Sequence, residues 1–132
     1  MSLESSFVTI AMQRGLEATV ALRAGDFLFR EGDEADALYI VSRGTLRIMS
    51  GSIVYETVQA GSIVGEMAIV DQGQPRSASV IAGTFANLIK VDASDFRALV
   101  QTAPDFALMV MRVMARRLRL MNQRYRPQVA SW

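Results

Sequence analysis

From residue 15 onward the apolar positions come in short runs punctuated by glycine. Gly15, Gly25, Gly32, Gly44, Gly51, Gly61, Gly73 and Gly83 recur at intervals of roughly ten residues, with β-branched or alternating runs between them, the pattern of an all-β sandwich or barrel. The runs predict strands over Ala18–Leu22, Phe27–Arg30, Ala37–Ser42, Thr45–Met49, Ile53–Val58, Ser77–Ala82 and Ala86–Val91. Leu46 and Ile48 alternate with Thr45, Arg47 and Met49, and Leu38 and Ile40 with Tyr39 and Val41, so each strand is expected to carry one core face. Arg43-Gly44 and Ser50-Gly51-Ser52 have the composition of hairpin turns. Ahead of the strands, Phe7 to Met12 is apolar enough for a short strand or a short helix, and its pattern does not choose.

At Asp92 the period changes from two to that of a helix. Asp92 can cap a helix with Phe96, Leu99 and Val100 on one face and Asp95 at its third position, ending near Gln101. Thr102-Ala103-Pro104-Asp105 has the form of a second capping box, with proline in the first turn, where its missing N–H costs nothing. The helix it opens runs to about Arg124, roughly 33 Å at 1.5 Å per residue. Phe106, Val110, Val113, Met114, Leu118, Met121 and Tyr125 form one stripe, and Leu108, Met111 and Ala115 widen it beyond what a single partner would bury.

The fold class is therefore mainly β with C-terminal helices, in a single domain spanning 1–132: a barrel over about 15–91, then a short and a long helix over 92–125. Apolar residues make up 51% and charged residues 20%, which is globular composition, and no run of about 18 apolar residues is present to cross a membrane. No signal-peptide pattern precedes the domain and there are no cysteines for a disulfide framework, so a cytoplasmic setting is expected. The chain also has no histidine, which removes Ser-His-Asp and Cys-His nucleophile systems and imidazole or thiolate metal sites. A histidine-bound metal barrel of the cupin type falls for the same reason. Neither enzyme activity nor a metal is expected. The acidic cluster Glu31, Asp33, Glu34 and Asp36 around Gly32 reads as a solvated turn.

One stretch carries chemistry. After Val64, Gly65 lets the backbone turn, and Glu66 to Val70 can form one helical turn whose free N–H groups favour negative charge. Arg76, following Pro75, brings a guanidinium back toward that turn with the Ser77 hydroxyl beside it. A phosphate would satisfy these donors. Glu66 fits the same site when the ligand also offers a hydroxyl, and a nucleotide offers both.

Gly65-Glu66-Met67-Ala68, a gap, then Pro75-Arg76-Ser77-Ala78 resembles the phosphate-binding cassette of cyclic nucleotide-binding domains, and the resemblance extends from about Leu22 to Arg124. It implies a jelly-roll (double-stranded β-helix) barrel with a ligand cradle formed by Val64, Gly65, Glu66, Met67, Ala68, Arg76, Ser77 and Ala78. In it Glu66 accepts the ribose 2′-hydroxyl and Arg76 pairs with the cyclic phosphate. Ile48 is implied as an apolar wall, and Arg117, Met121 and Asn122 as purine or lid contacts. The pattern around Ser77 is similar to that of bacterial cyclic AMP sensors, so cyclic AMP is the expected ligand and cyclic GMP the alternative. Met121 and Asn122 stand where bacterial activators place paired hydroxyls against the purine. The resemblance further implies a homodimer through the long helix and signalling by its repacking. The helical element ahead of the barrel is expected to be shortened or absent, and no output domain is expected in the chain. The competing reading is a ligand-free dimerisation domain of the same fold.

Charge is uneven. After Asp105 no acidic residue remains, while Arg112, Arg116, Arg117, Arg119, Arg124 and Arg126 follow. Without a helix-turn-helix or aromatic stacking residues in that segment, nucleic acid is not the expected partner, and these arginines read as solvated positions beside an apolar seam.

Overall fold

The computed structural model describes residues 3–124. Helix α1 (Leu3–Gln13) precedes strands β1 (Ala18–Leu22), β2 (Phe27–Phe29), β3 (Ala37–Arg43), β4 (Leu46–Ser50), β5 (Ile53–Val58) and β6 (Ile63–Val64). A short helix α2 (Glu66–Val70) separates these from β7 (Ser79–Ala82) and β8 (Ala86–Asp92), and α3 (Ala93–Thr102) and α4 (Pro104–Arg124) follow. Tyr125 and Arg126 lie outside the described residues.

The strands form two four-stranded antiparallel sheets, ordered β1-β8-β3-β6 and β2-β7-β4-β5. The expected jelly roll is present as two facing sheets and not as a closed barrel. One inferred turn has a different role. β3 and β4 belong to different sheets, so Arg43-Gly44 is a crossing between sheets, whereas Ser50-Gly51-Ser52 does join the β4–β5 hairpin. The crossing needs glycine: Gly44 has φ +87°, and a Cβ there would sit 2.1 Å from the Phe85 carbonyl oxygen.

Two apolar clusters hold the domain together. Val41, Leu46, Val58, Val64, Val80 and Leu88 pack between the sheets. Leu38, Ile40, Ile89 and Val91 pack on the other side, with Phe7, Leu99, Phe106 and Val110 of the helices. β3 therefore buries both faces, where alternation had suggested one: Leu38 and Ile40 meet the helices, while Val41, with Tyr39 packed against its cluster, belongs to the space between the sheets.

The helical ends follow local chemistry. Asp92 caps α3 in a reciprocal box with Asp95, as expected. Thr102 does not open α4. Its hydroxyl donates to the Ala98 carbonyl at 2.6 Å and closes α3 instead, a back-bond open to any helical threonine. The two helices meet at 116° across Ala103. The apolar N-terminal run is a helix, so the element expected to be shortened or absent exists over 11 residues. It is anchored by Phe7, whose ring meets that of Phe106 edge-on at 5.5 Å; Phe106 also contacts Phe96 at 5.9 Å.

Phe106 is fully buried where α1, α3 and α4 converge, so Phe106→Ala opens a cavity among the three helices. A loss of about 3–5 kcal/mol is expected in urea unfolding. A loss below about 1 kcal/mol, within the range of ordinary surface changes, would mean that the helices do not pack on this ring.

A candidate ligand pocket between the sheets and the long helix

Gly65 sets the geometry of the pocket floor. It caps α2 with φ 78°, in the left-handed region, and no side chain caps the turn. Replacing its hydrogen with a Cβ would place that atom 2.7 Å from Arg76 Nη1. Glycine is thus required both by backbone conformation and by the approach of the arginine.

Arg76 is held from both ends. Its N–H donates to the Asp33 carbonyl at 2.8 Å and its carbonyl accepts the Gly32 N–H at 2.9 Å. The acidic cluster is an exposed turn, as expected, but Asp33 also accepts the Arg30 N–H at 2.9 Å, and the turn so formed anchors the arginine. Arg76 is buried, 6% exposed as a residue, and its guanidinium has ring contacts that the local sequence does not show: Phe29 lies under it at 3.9 Å and Tyr39 at 6.0 Å. Nη2 donates to the Ala37 carbonyl at 2.8 Å and Nη1 to the Gly65 carbonyl at 3.3 Å, while Nε has no partner. Burial pushes its pKa below the ordinary value, against the opposing pull of Tyr39, Asp36, Asp33 and Glu66. The arginine stays charged, since a guanidinium does not deprotonate in proteins. Among the described residues no carboxylate lies within ion-pair distance of it.

Arg117 is in the opposite condition. Its Nη1 donates to Glu66 Oε1 at 2.7 Å, its Nε to Glu56 Oε1 at 2.9 Å, and its Nη2 to the Ile63 carbonyl at 2.7 Å and Glu56 Oε2 at 3.4 Å. Two carboxylates share one guanidinium, with side-chain exposures of 17% for Glu56, 6% for Glu66 and 15% for Arg117. Arg117 is thus no solvated seam residue. It ties α4 to β5 and to the first turn of α2. Glu56 was not singled out in the sequence, although it shares strand parity with the buried Val58, and an acidic residue on an inward face is a legible signal.

These groups line a cavity of about 810 Å³ between the β4–β5 face, α2 and α4. Of the residues proposed from the sequence, Ile48, Gly65, Glu66, Met67, Ala68, Arg76, Ser77, Ala78, Arg117 and Met121 line it. Val64 does not; it is fully buried between the sheets, because its strand partner Tyr39 turns that position into the core. Asn122 does not line it either, although it follows Leu118 by four residues on the same side of the helix, one turn beyond the wall. Ser77 is exposed and precedes β7, which starts two residues later than expected. Phe29, Tyr55, Glu56, Val80 and Leu118 are among the further wall residues, and their place at the site is not readable from the local sequence; Met114 of the long helix also lines it.

Similarity to known proteins agrees with this architecture. The family model for the cyclic nucleotide-binding domain matches residues 19–103. The chain is 28% identical over 102 residues to the cAMP-activated global transcriptional regulator CRP of Salmonella typhimurium, covering 74% of this chain and 49% of that protein. It is 33% identical over 95 residues to the Pycsar effector protein XpPycTIR of Xanthomonas perforans, covering 72% and 31% respectively. Among solved structures, the catabolite activator protein of Thermus thermophilus superposes with a TM-score of 0.74 at 26% identity, covering 94% of this chain and 58% of that one. The chain spans about half the length, or less, of the curated relatives it matches. With a family match across both sheets and the first C-terminal helix, the chain belongs to the cyclic nucleotide-binding domain family.

Proposed function

We propose that this single domain is a cytoplasmic sensor module that binds a cyclic mononucleotide, cyclic AMP in preference to cyclic GMP, and acts by binding alone. The observation that carries the reading is Arg76: a buried guanidinium with neutral acceptors on two nitrogens and nothing on the third. A phosphate supplies the missing countercharge and accepts from Nε. In this reading the N–H groups of Glu66 and Met67, which no side chain caps, and the Ser77 hydroxyl complete the phosphate cradle, while the Ala68 N–H donates to the Gly65 carbonyl at 3.3 Å. Glu66 is tied to Arg117 through one oxygen, and the other accepts the ribose 2′-hydroxyl. The purine lies against Ile48, Val80 and Met114, with Leu118 and Met121 as its lid.

Signalling then follows from differential contact. A nucleotide that meets both the cassette and α4 stabilises the helix position that closes the pocket, and only that difference in contact can shift the population. N-terminal to the pocket wall, and on the stripe that continues into Ala115 and Leu118, α4 leaves Leu108 and Met111 exposed, at 45% and 60%, one helical turn apart. We assign this face to a second copy of the chain in a homodimer. A ligand-free dimerisation domain is the second reading, favoured by the internal pairing of Glu66 with Arg117, which satisfies the carboxylate without any ligand.

Thermal melts separate these readings. Cyclic nucleotide at a hundred times its dissociation constant is expected to add about 2.7 kcal/mol of stability, and linear AMP markedly less. Arg76→Ala should cost about 2–5 kcal/mol of binding, the usual result of truncating one side of a buried charge pair. Melts unmoved by any cyclic nucleotide at millimolar concentration would favour the ligand-free domain. For assembly, Leu108→Glu with Met111→Glu is expected to halve the mass seen by sedimentation equilibrium while the melt of the unliganded protein stays cooperative. A wild-type chain that sediments as a monomer would remove the dimer.

A further inference from the structure

The cavity contains two arginines in contrasting states, and this difference bears on which ligands it accepts. Arg76 keeps its charge unneutralised and its Nε unpartnered. Arg117 has four of its five N–H groups engaged, and both carboxylates of its neighbourhood lie against it. Glu66 alone would balance Arg117. Glu56 is a second carboxylate on the same cation, 17% exposed, and its Oε2 also lies 4.0 Å from Nη2 of the exposed Arg116, which does not line the cavity. Over Arg76, Arg117, Glu56 and Glu66, which do line it, the charges sum to zero. Asp71, exposed at the rim, adds further negative charge.

We propose that Glu56 is a specificity-determining residue that restricts the pocket to ligands bearing one negative charge, because with Glu66 it removes Arg117 as a second anion-binding cation. The inference rests on the nucleotide reading of the pocket. A cyclic phosphodiester carries one charge and is matched by Arg76. A linear nucleotide ends in a phosphomonoester of nearly two charges, and a cyclic dinucleotide carries two phosphodiesters. For each, the second charge meets a cation already held by two carboxylates and, beyond it, the like charge of Glu56 itself. Volume does not make this choice, since about 810 Å³ is at the roomy end of small-molecule sites. Ile48 faces Glu56 across the β4–β5 pair, so the carboxylate stands in the wall of the chamber and not on its outer surface.

The test is a ratio of affinities, measured by calorimetry or competition for the better-bound cyclic mononucleotide, its linear 5′-monophosphate and its cyclic dinucleotide. Glu56→Gln keeps the shape and an acceptor for Arg117 Nε while removing the charge; Glu56→Thr is a second neutral variant suited to a strand. In both, the preference for one charge over two is expected to narrow by about tenfold or more, because a like charge has been removed from a partly buried site. Glu56→Asp, which keeps the charge, should restore most of the preference. A ratio unchanged in both neutral variants overturns the proposal, as does loss of all binding in both, which would make Glu56 a support of the site and not a selector. Failure of the wild-type chain to bind any of the nucleotides would overturn the nucleotide reading and this inference with it.

Discussion

A buried positive charge with no carboxylate in ion-pair contact among the described residues is the constraint around which this domain is arranged. Arg76 rests on Phe29, donates to two backbone carbonyls and leaves Nε unpartnered. Such a group is costly in a protein interior unless an anion joins it. The surrounding structure holds it there nonetheless. The 30–33 turn grips its backbone, Gly65 clears space for its Nη1, and the strands that carry Phe29 and Tyr39 form its bed. Stability lost to the uncompensated cation is stability that an anionic ligand restores on binding.

The second arginine converts that local site into a device with reach. Arg117 belongs to α4, yet its guanidinium is shared among β5, the carbonyl of Ile63 in β6 and the first residue of α2. Any ligand that recruits Glu66 must therefore negotiate with a helix whose own Phe106 is packed against Phe7 of α1. In the proposed reading, rearranging one ion-pair set biases the position of a whole helix, because packed interfaces favour discrete positions over continuous deformation.

Much of this was legible in residue order. Glycine spacing and alternation located β1 and β5 to the residue, and Asp92 with Asp95 announced the start of α3. That Gly65, Glu66 and Arg76 would come together at one cavity was readable because they lie within twelve residues of one another. What escaped depends on long-range partners. That β3 would be covered on both faces, that Gly44 would cross between sheets, and that Val64 would be core all follow from sheet pairing, which alternation within one strand does not encode. Thr102 could cap forward or bond backward with equal local sense, and the 116° bend decided between them. Resemblance singled out Arg117 among six cations after Asp105 as a ligand contact, but its carboxylate partners were not legible; only the fold brings Glu56, 61 residues away, to its side.

The account stands most directly on the side-chain N–H of Arg76. Nitrogen-15 correlation NMR of the arginine Nε–H groups, recorded before and after addition of cyclic AMP, reads that atom alone when Arg76→Lys supplies the assignment. A large downfield shift of the Arg76 resonance and its protection from solvent exchange are the expected result, as a free donor acquires a phosphate acceptor. An Arg76 resonance that stays in place under saturating cyclic AMP and cyclic GMP would contradict the claim that this buried charge is the anchor of a nucleotide site.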